Sequence, residues 1–555
     1  MAADRGLEIP GTVARQETEI GILKEQIKMK KIHGKMMKGI TAKSLMMLLA
    51  LAGSNYCHAL QAAPAKNAEK AQKAEATPAK NAEEAQKAES APAKNAEEAQ
   101  KAEAAPAKNA EKAQKAEAAP AKNAEEAKKQ ATIVVNNPTS NPRTELISLS
   151  MNEVKAKLGN AAPKKGEAYI VKNKHGQQIG SQITHDGYLL IDASVRPHGS
   201  ATYYVTIGKP YQQKVWATGA LYKIRKDDIA WENDRCAYRV YGPALQKTGE
   251  RSFGTDVWAK NTPDTVVYER YIKDMNGNIK GDKIDAKVRA LQKQEKALES
   301  QAKNEKNKAK AAKLENQLKA LQVQRKALQA ESNEVDILTS FHLDHGNGLD
   351  PYRVGATLGL GAPSLMVGKN QVLPYCYKDY RILDNGPLRF TVELTYHPSA
   401  VGDMKNVVEH RIISLDKGSN FNKMTVWYDG LTHATDFATG FPIHEEDTES
   451  KTFAKDYVSY ADPTDNIEVN NSQVFVGVLF PEGIDNTYYQ LFDKKHDGAT
   501  GHALGLKRGL KNGERYSYYF GAAWSKYDVK SYAEWQIRIK EYLDALKTPL
   551  GIEVK

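Results

Sequence analysis

The chain has 555 residues and carries 79 Lys+Arg against 68 Asp+Glu, a formal charge of +11. The excess is segmental: residues 1–36 hold +2, 37–63 +2, 64–130 +1 and 281–332 +6, so the remaining sequence is neutral and a basic nucleic-acid footprint on it is excluded. Three cysteines, Cys57, Cys236 and Cys376, exclude a disulfide scaffold and a Cys-rich zinc module, and allow at most one bridge, Cys236 to Cys376.

Lys38 and Lys43 precede an apolar run at 45–52, and small or polar residues follow to Ala59, Ala62 and Ala63. A positive region, a short apolar stretch and a small-residue zone predict a secretory signal over 37–63 and a secreted or periplasmic protein. The run is too short to span a bilayer, so no transmembrane segment is expected after its removal. Residues 1–36 then precede the expected start at Met37. Ser54-Asn55-Tyr56 makes a poor lipoprotein box before Cys57, so no lipid anchor is expected.

From Pro64 a 14-residue Ala/Lys/Glu/Gln unit begins again at Pro78, Pro92, Pro106 and Pro120, and 64–130 contains no Leu, Ile, Val or aromatic residue. Its residues favour helix, each Pro interrupts it, and nothing large can be buried. The segment is therefore expected to be a solvated spacer, disordered or partly helical, and not a stacked repeat domain.

After Thr132 the texture becomes β-rich. Strands are predicted at 133–135, 168–171, 188–191, 201–207, 266–268, 388–396, 407–413, 423–428, 474–480 and 515–520, where β-branched and aromatic residues lie between turns such as Asp384-Asn385-Gly386-Pro387. Polar and apolar residues alternate in Arg389-Phe390-Thr391-Val392-Glu393-Leu394-Thr395-Tyr396, which implies one wet and one buried face. No strand-helix-strand rhythm recurs. The expected fold is mainly β, a large antiparallel β-sandwich over 131–555.

Residues 281–334 interrupt it. Ile284, Val288, Leu291 and Leu298 keep a 4-3-7 spacing, as do Leu314, Leu318, Leu321 and Leu328, with a polar break at 301–308. Two apolar stripes around a break predict an inserted coiled-coil hairpin, and with it self-association through the hairpin. Trp535, Ile539, Leu543 and Leu546 give a C-terminal helix that Ser531 is placed to cap.

Four polar-aromatic clusters could carry chemistry. The densest is Trp231-Glu232-Asn233-Asp234-Arg235-Cys236-Ala237-Tyr238-Arg239; read as one strand, its polar groups on both faces imply a polar cleft. The second is Phe341-His342-Leu343-Asp344-His345-Gly346-Asn347-Gly348-Leu349-Asp350-Pro351-Tyr352-Arg353. The others are Glu409-His410-Arg411 and Gly440-Phe441-Pro442-Ile443-His444-Glu445. A strand would turn His342 and Asp344 to one face and His345 away, which disfavours a transition-metal site; an oxygen-ligated calcium at Asp344 or Asp350 is the better metal reading, and no cofactor is expected. Hydrolase-elbow, P-loop and dinucleotide motifs are missing, and the Gly-rich 355–361 reads as a turn.

Together, 231–243, 344–350 with 354–359, Leu383-Asp384-Asn385-Gly386-Pro387-Leu388-Arg389 and Phe520-Gly521-Ala522-Ala523-Trp524-Ser525 resemble the domain-of-unknown-function family DUF4861 over roughly 132–550, apart from the helical insertion. The resemblance implies a sheet architecture similar to the galactose-mutarotase-like supersandwich and a place among secreted polysaccharide-degradation proteins. It does not settle the reaction.

Sugar sites need aromatic faces and fork-shaped polar groups. Trp231, Tyr238, Tyr352 and Trp427 supply the former; Asn233, Arg235 and Arg353 supply the latter, with Asp344, Asp350 and His444 as further binding residues. For a uronate lyase, Arg235 or Arg353 holds the carboxylate, His345 or His410 is the base and Tyr352 the acid. A hydrolase draws on Glu232, Asp256, Asp344 and Glu409; a mutarotase uses His410 and Glu232. The expected function is action on a uronate-containing saccharide. The competing readings are a non-catalytic glycan-binding module and, on 281–332 alone, a coiled-coil assembly protein.

Overall fold

The computed structural model describes residues 130–445, 449–464 and 471–555. The segment before Met37, the expected signal, Cys57 and the repeats up to 129 lie outside the described residues. Within them the chain is mainly β, and its strands pair antiparallel.

A small two-sheet layer comes first. Strands Gly551–Val554, Ala131–Asn136, Ser200–Gly208 and Ala168–Asn173 form one sheet in that order; Arg143–Ser150, Tyr188–Val195 and Ser181–Ile183 form the other. Alternation turns Ala131, Ile133 and Val135 inward to a core with Ile147, Leu149, Leu189 and Ile191.

Three sheets build the larger part around one apolar core. The four-stranded sheet runs Asp256–Ala259, Cys236–Val240, Asp228–Glu232, Thr218–Tyr222. The five-stranded sheet runs Asn370–Val372, Pro363–Val367, Thr435–Ile443, Ala499–Leu510, Asn486–His496. The largest runs from Tyr377–Asn385 through Arg389–Tyr396, Met404–Asp416, Phe421–Asp429, Tyr516–Trp524, Val474–Leu479 and Tyr457–Asp462 to Lys451–Phe453. Trp231 and Tyr238 from the first, Phe437 and Phe441 from the second, and Phe390, Ile413 and Phe520 from the third share that core. The capped helix Tyr532–Lys547 covers the outer face of the largest sheet with Trp535, Ile539 and Leu543, and Ser531 accepts a hydrogen bond from the Glu534 N–H.

The insertion is longer than 281–334: its helices are Val267–Asn304 and Lys308–Thr339. Glu295 meets Arg325, Asp285 meets Ser332 and Lys280 meets Glu331, an antiparallel register, while Ile284, Val288 and Val335 are buried between the helices. The strand expected at 266–268 is instead the start of the first helix. A distant carboxylate decides it: buried Glu232 accepts hydrogen bonds from the Val266 and Val267 N–H groups at 2.9 Å and sits at the positive helix end. Lys260 Nζ closes the arrangement at 2.7 Å from Glu232 and 2.6 Å from the Asn233 carbonyl.

Lys260→Ala leaves that buried carboxylate without its cation and is expected to cost about 3–5 kcal/mol in denaturant unfolding. Combining Lys260→Met with Glu232→Gln should recover part of the loss. An unchanged midpoint in Lys260→Ala would contradict this role.

Candidate functional site

The 231–239 motif is a hairpin, two strands joined at 233–235, and its polar groups are spent on the fold. Asn233 makes the turn: its side chain accepts from the Arg235 and Cys236 N–H groups and donates to the Asp416 and Ser419 carbonyls. Trp231 is fully buried, its indole N–H 2.7 Å from Asn422 Oδ1, and Tyr238 donates to the Asn420 carbonyl. Arg235 pairs with Asp528. Glu232, expected in acid–base chemistry, caps the hairpin helix. The polar cleft inferred from this motif is not formed; Cys236 and Cys376 are both free and buried.

His410 is also placed elsewhere. Alternation sends Glu409 and Arg411 into the sandwich, where they pair at 2.6 Å and Tyr428 donates to Glu409 at 2.8 Å, and sends His410 to the opposite face. There it stacks on Trp427 at 4.9 Å and meets Asp429 at 3.1 Å, while Arg515 lies 4.0 Å from the centre of the same indole. Trp427 is thus already in contact with its own neighbours.

The loop after the second long helix separates its residues too. His345 Nε2 meets the Ser340 carbonyl at 3.0 Å, and burial pulls its pKa down. Asp344 accepts from the Gly346 and Gly348 N–H groups and lies 3.7 Å from Lys526. Gly348, at φ +104°, brings its backbone so close that a Cβ would stand 1.9 Å from the Ala259 carbonyl. Asp350 turns inward to Arg239. No group of three His, Cys, Asp or Glu among the described residues could hold a metal, and the carboxylates proposed for calcium have partners of their own.

What the fold does bring together lies where the three larger sheets meet. His444 follows the strand Thr435–Ile443 of the five-stranded sheet, and Asp462 ends the strand Tyr457–Asp462 of the largest sheet. Both are buried, with His444 Nδ1 2.7 Å from Asp462 Oδ2. The second Asp462 oxygen accepts from the Thr464 N–H at 2.8 Å. This anchoring puts the imidazole proton on Nδ1.

Tyr352 stands edge-on to His444, ring centroids 6.1 Å apart. Its hydroxyl is buried and has no hydrogen-bond partner among the described residues. Burial and then the nearby Asp462 charge push its pKa well above the ordinary tyrosine value. Arg353, the next residue, is exposed and reaches toward the hairpin turn at Gly498.

Below Tyr352 is a group of ionisable side chains contributed by the four-stranded sheet and by Asp350. Arg239 Nη2 pairs with Asp256 and, at 2.9 Å, with Asp350; Nη1 lies 3.8 Å from Asp228, and Tyr241 donates to Asp256 at 3.1 Å. All five are buried. One cation cannot satisfy three carboxylates there. Burial pushes Asp228 up to about 6 despite Arg239, and burial together with Asp350 pushes Asp256 up to about 7.

On the other side His502 ties down the Gly-rich turn: its Nε2 accepts from the Leu358 N–H at 3.2 Å, so Nδ1 donates to Gln371 at 2.6 Å. Burial pulls its pKa down to about 3, which keeps it neutral in that role. Tyr352, Asp350 and His444 therefore converge, whereas Arg353 is exposed toward Gly498 and His345, His410, Glu232, Trp231, Asn233, Arg235, Tyr238 and Asp344 serve other places. Asp462, Arg239 and Asp256 complete the site. Arg239 was in a quoted motif, but nothing in the sequence joins Asp462 to a histidine on another sheet.

Fold and site define a mainly β protein of packed antiparallel sheets with a tyrosine and a histidine–carboxylate pair at its sheet junction. The family model described as "Domain of unknown function (DUF4861)" matches residues 135–552, and the chain belongs to that family. "Uncharacterized protein P7" of Formosa agariphila is 23% identical over 342 residues, 60% of this chain and 68% of the relative. Among solved structures, a protein in glycosyl hydrolase family 38 from Enterococcus faecalis is 8% identical with a TM-score of 0.36, over 77% of this chain and 47% of that one. An alpha-mannosidase from Enterococcus faecalis V583 is 9% identical with a TM-score of 0.33, over 77% and 46%. The chain spans about half the length of those solved chains, and likenesses so distant establish neither fold nor reaction.

A carboxyl whose folded pKa is raised favours the folded state most below its unfolded pKa, about 3.9, and loses that contribution as pH climbs through about 6. Asp228→Asn has no proton to lose. Its stability relative to the unsubstituted protein should improve by up to about 3 kcal/mol between pH 4 and pH 8. A difference that stays constant with pH, read by denaturant unfolding, would contradict this environment.

Proposed function

We propose that the protein is a carbohydrate-active enzyme that cleaves a uronate-containing oligo- or polysaccharide, with Tyr352 and His444 as the proton-transfer pair and Arg353 as the carboxylate partner. The observation that carries this reading is the buried Tyr352 hydroxyl, which has no hydrogen-bond partner among the described residues and stands beside the His444–Asp462 pair. An unmet buried hydroxyl costs about 1–3 kcal/mol, a cost removed when a ligand oxygen fills the position.

The reaction this favours is β-elimination. His444 Nε2 takes the proton alpha to the uronate carboxylate, and Asp462 stabilises the imidazolium through Nδ1–H. Arg353 neutralises the carboxylate as charge builds on it. Tyr352, kept protonated by its raised pKa, gives its proton to the leaving glycosidic oxygen as that bond breaks and the ring double bond forms. Solvent then returns a proton to Tyr352 and removes one from His444. Hydrolysis calls for two carboxylates at the substrate, but Asp256 and Asp350 are held by Arg239 and Asp462 by His444. The signal pattern at 37–63 supports a secreted or periplasmic setting.

Incubation with polygalacturonate, glucuronan or ulvan fragments is expected to raise the ultraviolet absorbance of an unsaturated uronate. His444→Ala and Tyr352→Phe should each lower kcat by about 10²–10⁴-fold, while His410→Ala leaves it unchanged. New reducing ends without absorbance would replace elimination by hydrolysis. Binding without any product would overturn the enzyme reading.

A further inference from the structure

The helical hairpin ends in charge that the fold does not use. Between 303 and 313 stand Lys303, Lys306, Lys308, Lys310 and Lys313 against one acid, Glu305. All five lysines are exposed, and none has an ion-pair partner among the described residues, although ion pairs at Lys280–Glu331 and Glu295–Arg325 bind the hairpin nearer its root. Glu305 is turned back onto the Asn307 N–H at 2.9 Å. By the rise per residue, this tip stands roughly 50 Å along the helix from the root at Val267.

The packing changes along the same axis. Ile284, Val288 and Val335 are buried near the root, whereas Leu298, Leu314, Leu318 and Leu321 are only half-buried. At the tip a cleft of about 620 Å³ opens between the helices. Lys310 and Lys313 flank it, and Ser300, Gln301, Asn304 and Gln317 line it together with Leu314 and one carboxylate, Glu305. Cations spaced along an edge, with amides and a hydroxyl between them, suit a ligand that repeats carboxylates and hydroxyls.

Other polyanions fit less well. Residues 281–334 contain no aromatic side chain on which bases could stack, and the tip has no large apolar face to enter a bilayer.

We propose that the hairpin tip is a second, non-catalytic binding site for an acidic polysaccharide chain, which holds the polymer at a distance from the Tyr352–His444 site. The identity of the polymer rests on the uronate reading above; the preference for a polyanionic glycan rests on the tip alone. Attraction of this kind is electrostatic and weakens as salt screens it.

The test uses the full chain in affinity electrophoresis and calorimetry with polygalacturonate, comparing the unsubstituted protein with the combined variant K303Q/K306Q/K308Q/K310Q/K313Q. All five positions are exposed, and circular dichroism checks that the helices persist. The expected result is about ten-fold weaker binding in the variant, and a similar loss for the unsubstituted protein as salt rises from low to physiological levels. Turnover of short oligouronates is expected to stay unchanged while turnover of the polymer falls.

Equal polymer affinity in variant and unsubstituted protein would overturn the proposal. So would equal binding of a neutral galactan, or capture by phosphatidylserine vesicles in preference to polygalacturonate. Retained lysine-dependent binding with no turnover of any uronate would instead count against the catalytic reading and leave the tip site standing.

Discussion

One guanidinium governs this architecture. Arg239, buried in the four-stranded sheet, faces Asp228, Asp256 and Asp350 at once. A charge in that position is tolerated only with its counter-charges in place, so the three carboxylates cannot drift without exposing it. Asp350 is the consequential partner. By fixing Asp350, Arg239 fixes the segment that carries Tyr352 two residues later, and it does so beneath a junction of three sheets. The apolar core around Trp231, Phe390 and Phe520 then holds those sheets together.

The site follows from that constraint. Tyr352 is pressed between the Arg239 group and the His444–Asp462 pair, with His502 holding the Gly-rich turn in place. Among the described residues the Tyr352 hydroxyl has no hydrogen-bond partner, and in the group beneath it Arg239 Nε and Nη1 and Asp228 Oδ2 are likewise buried without one. Buried polar groups left short of partners call for an explanation, and a ligand oxygen beside Tyr352 is the one proposed. The long hairpin grows from the same region: Glu232 caps its first helix, and Arg270, in that helix, donates to the Leu343 carbonyl of the loop leading to Asp350.

Much of the fold was legible because it is written in local patterns. Alternation in Arg389–Tyr396 and Met404–Asp416 marks antiparallel strands, and the leucine spacing marks the hairpin. The misread strand at 266–268 shows the limit. Val266, Val267 and Tyr268 favour a strand by propensity, but the helix start there is set by Glu232, more than thirty residues away, and no local pattern reports it. The 231–239 motif misled for a different reason. Asn233-Asp234-Arg235 carries a turn signal, and reading it would have divided one strand with two polar faces into two strands whose polar groups are spoken for.

The site was half legible. Tyr352, Asp350 and His444 stand in polar-aromatic motifs and the fold brings them near one another, while Arg353, in the same motif, faces outward toward Gly498. His345 and His410 have equally promising neighbours in sequence, but alternation sends His410 to the outer face and the Ser340 carbonyl claims His345. The decisive partner of His444 is Asp462, an ordinary aspartate before a proline at the end of a strand on another sheet. Pairing across sheets is a property of topology, and a single sequence does not display it.

The most direct measurement is a crystal structure of the full chain with an oligouronate bound to the Tyr352→Phe or His444→Ala protein. The account predicts sugar density at the junction of the three sheets, with an oxygen at the Tyr352 hydroxyl in the histidine variant and the carboxylate on Arg353. A saccharide bound elsewhere, with the junction closed and the tyrosine hydroxyl still unmatched, would contradict it.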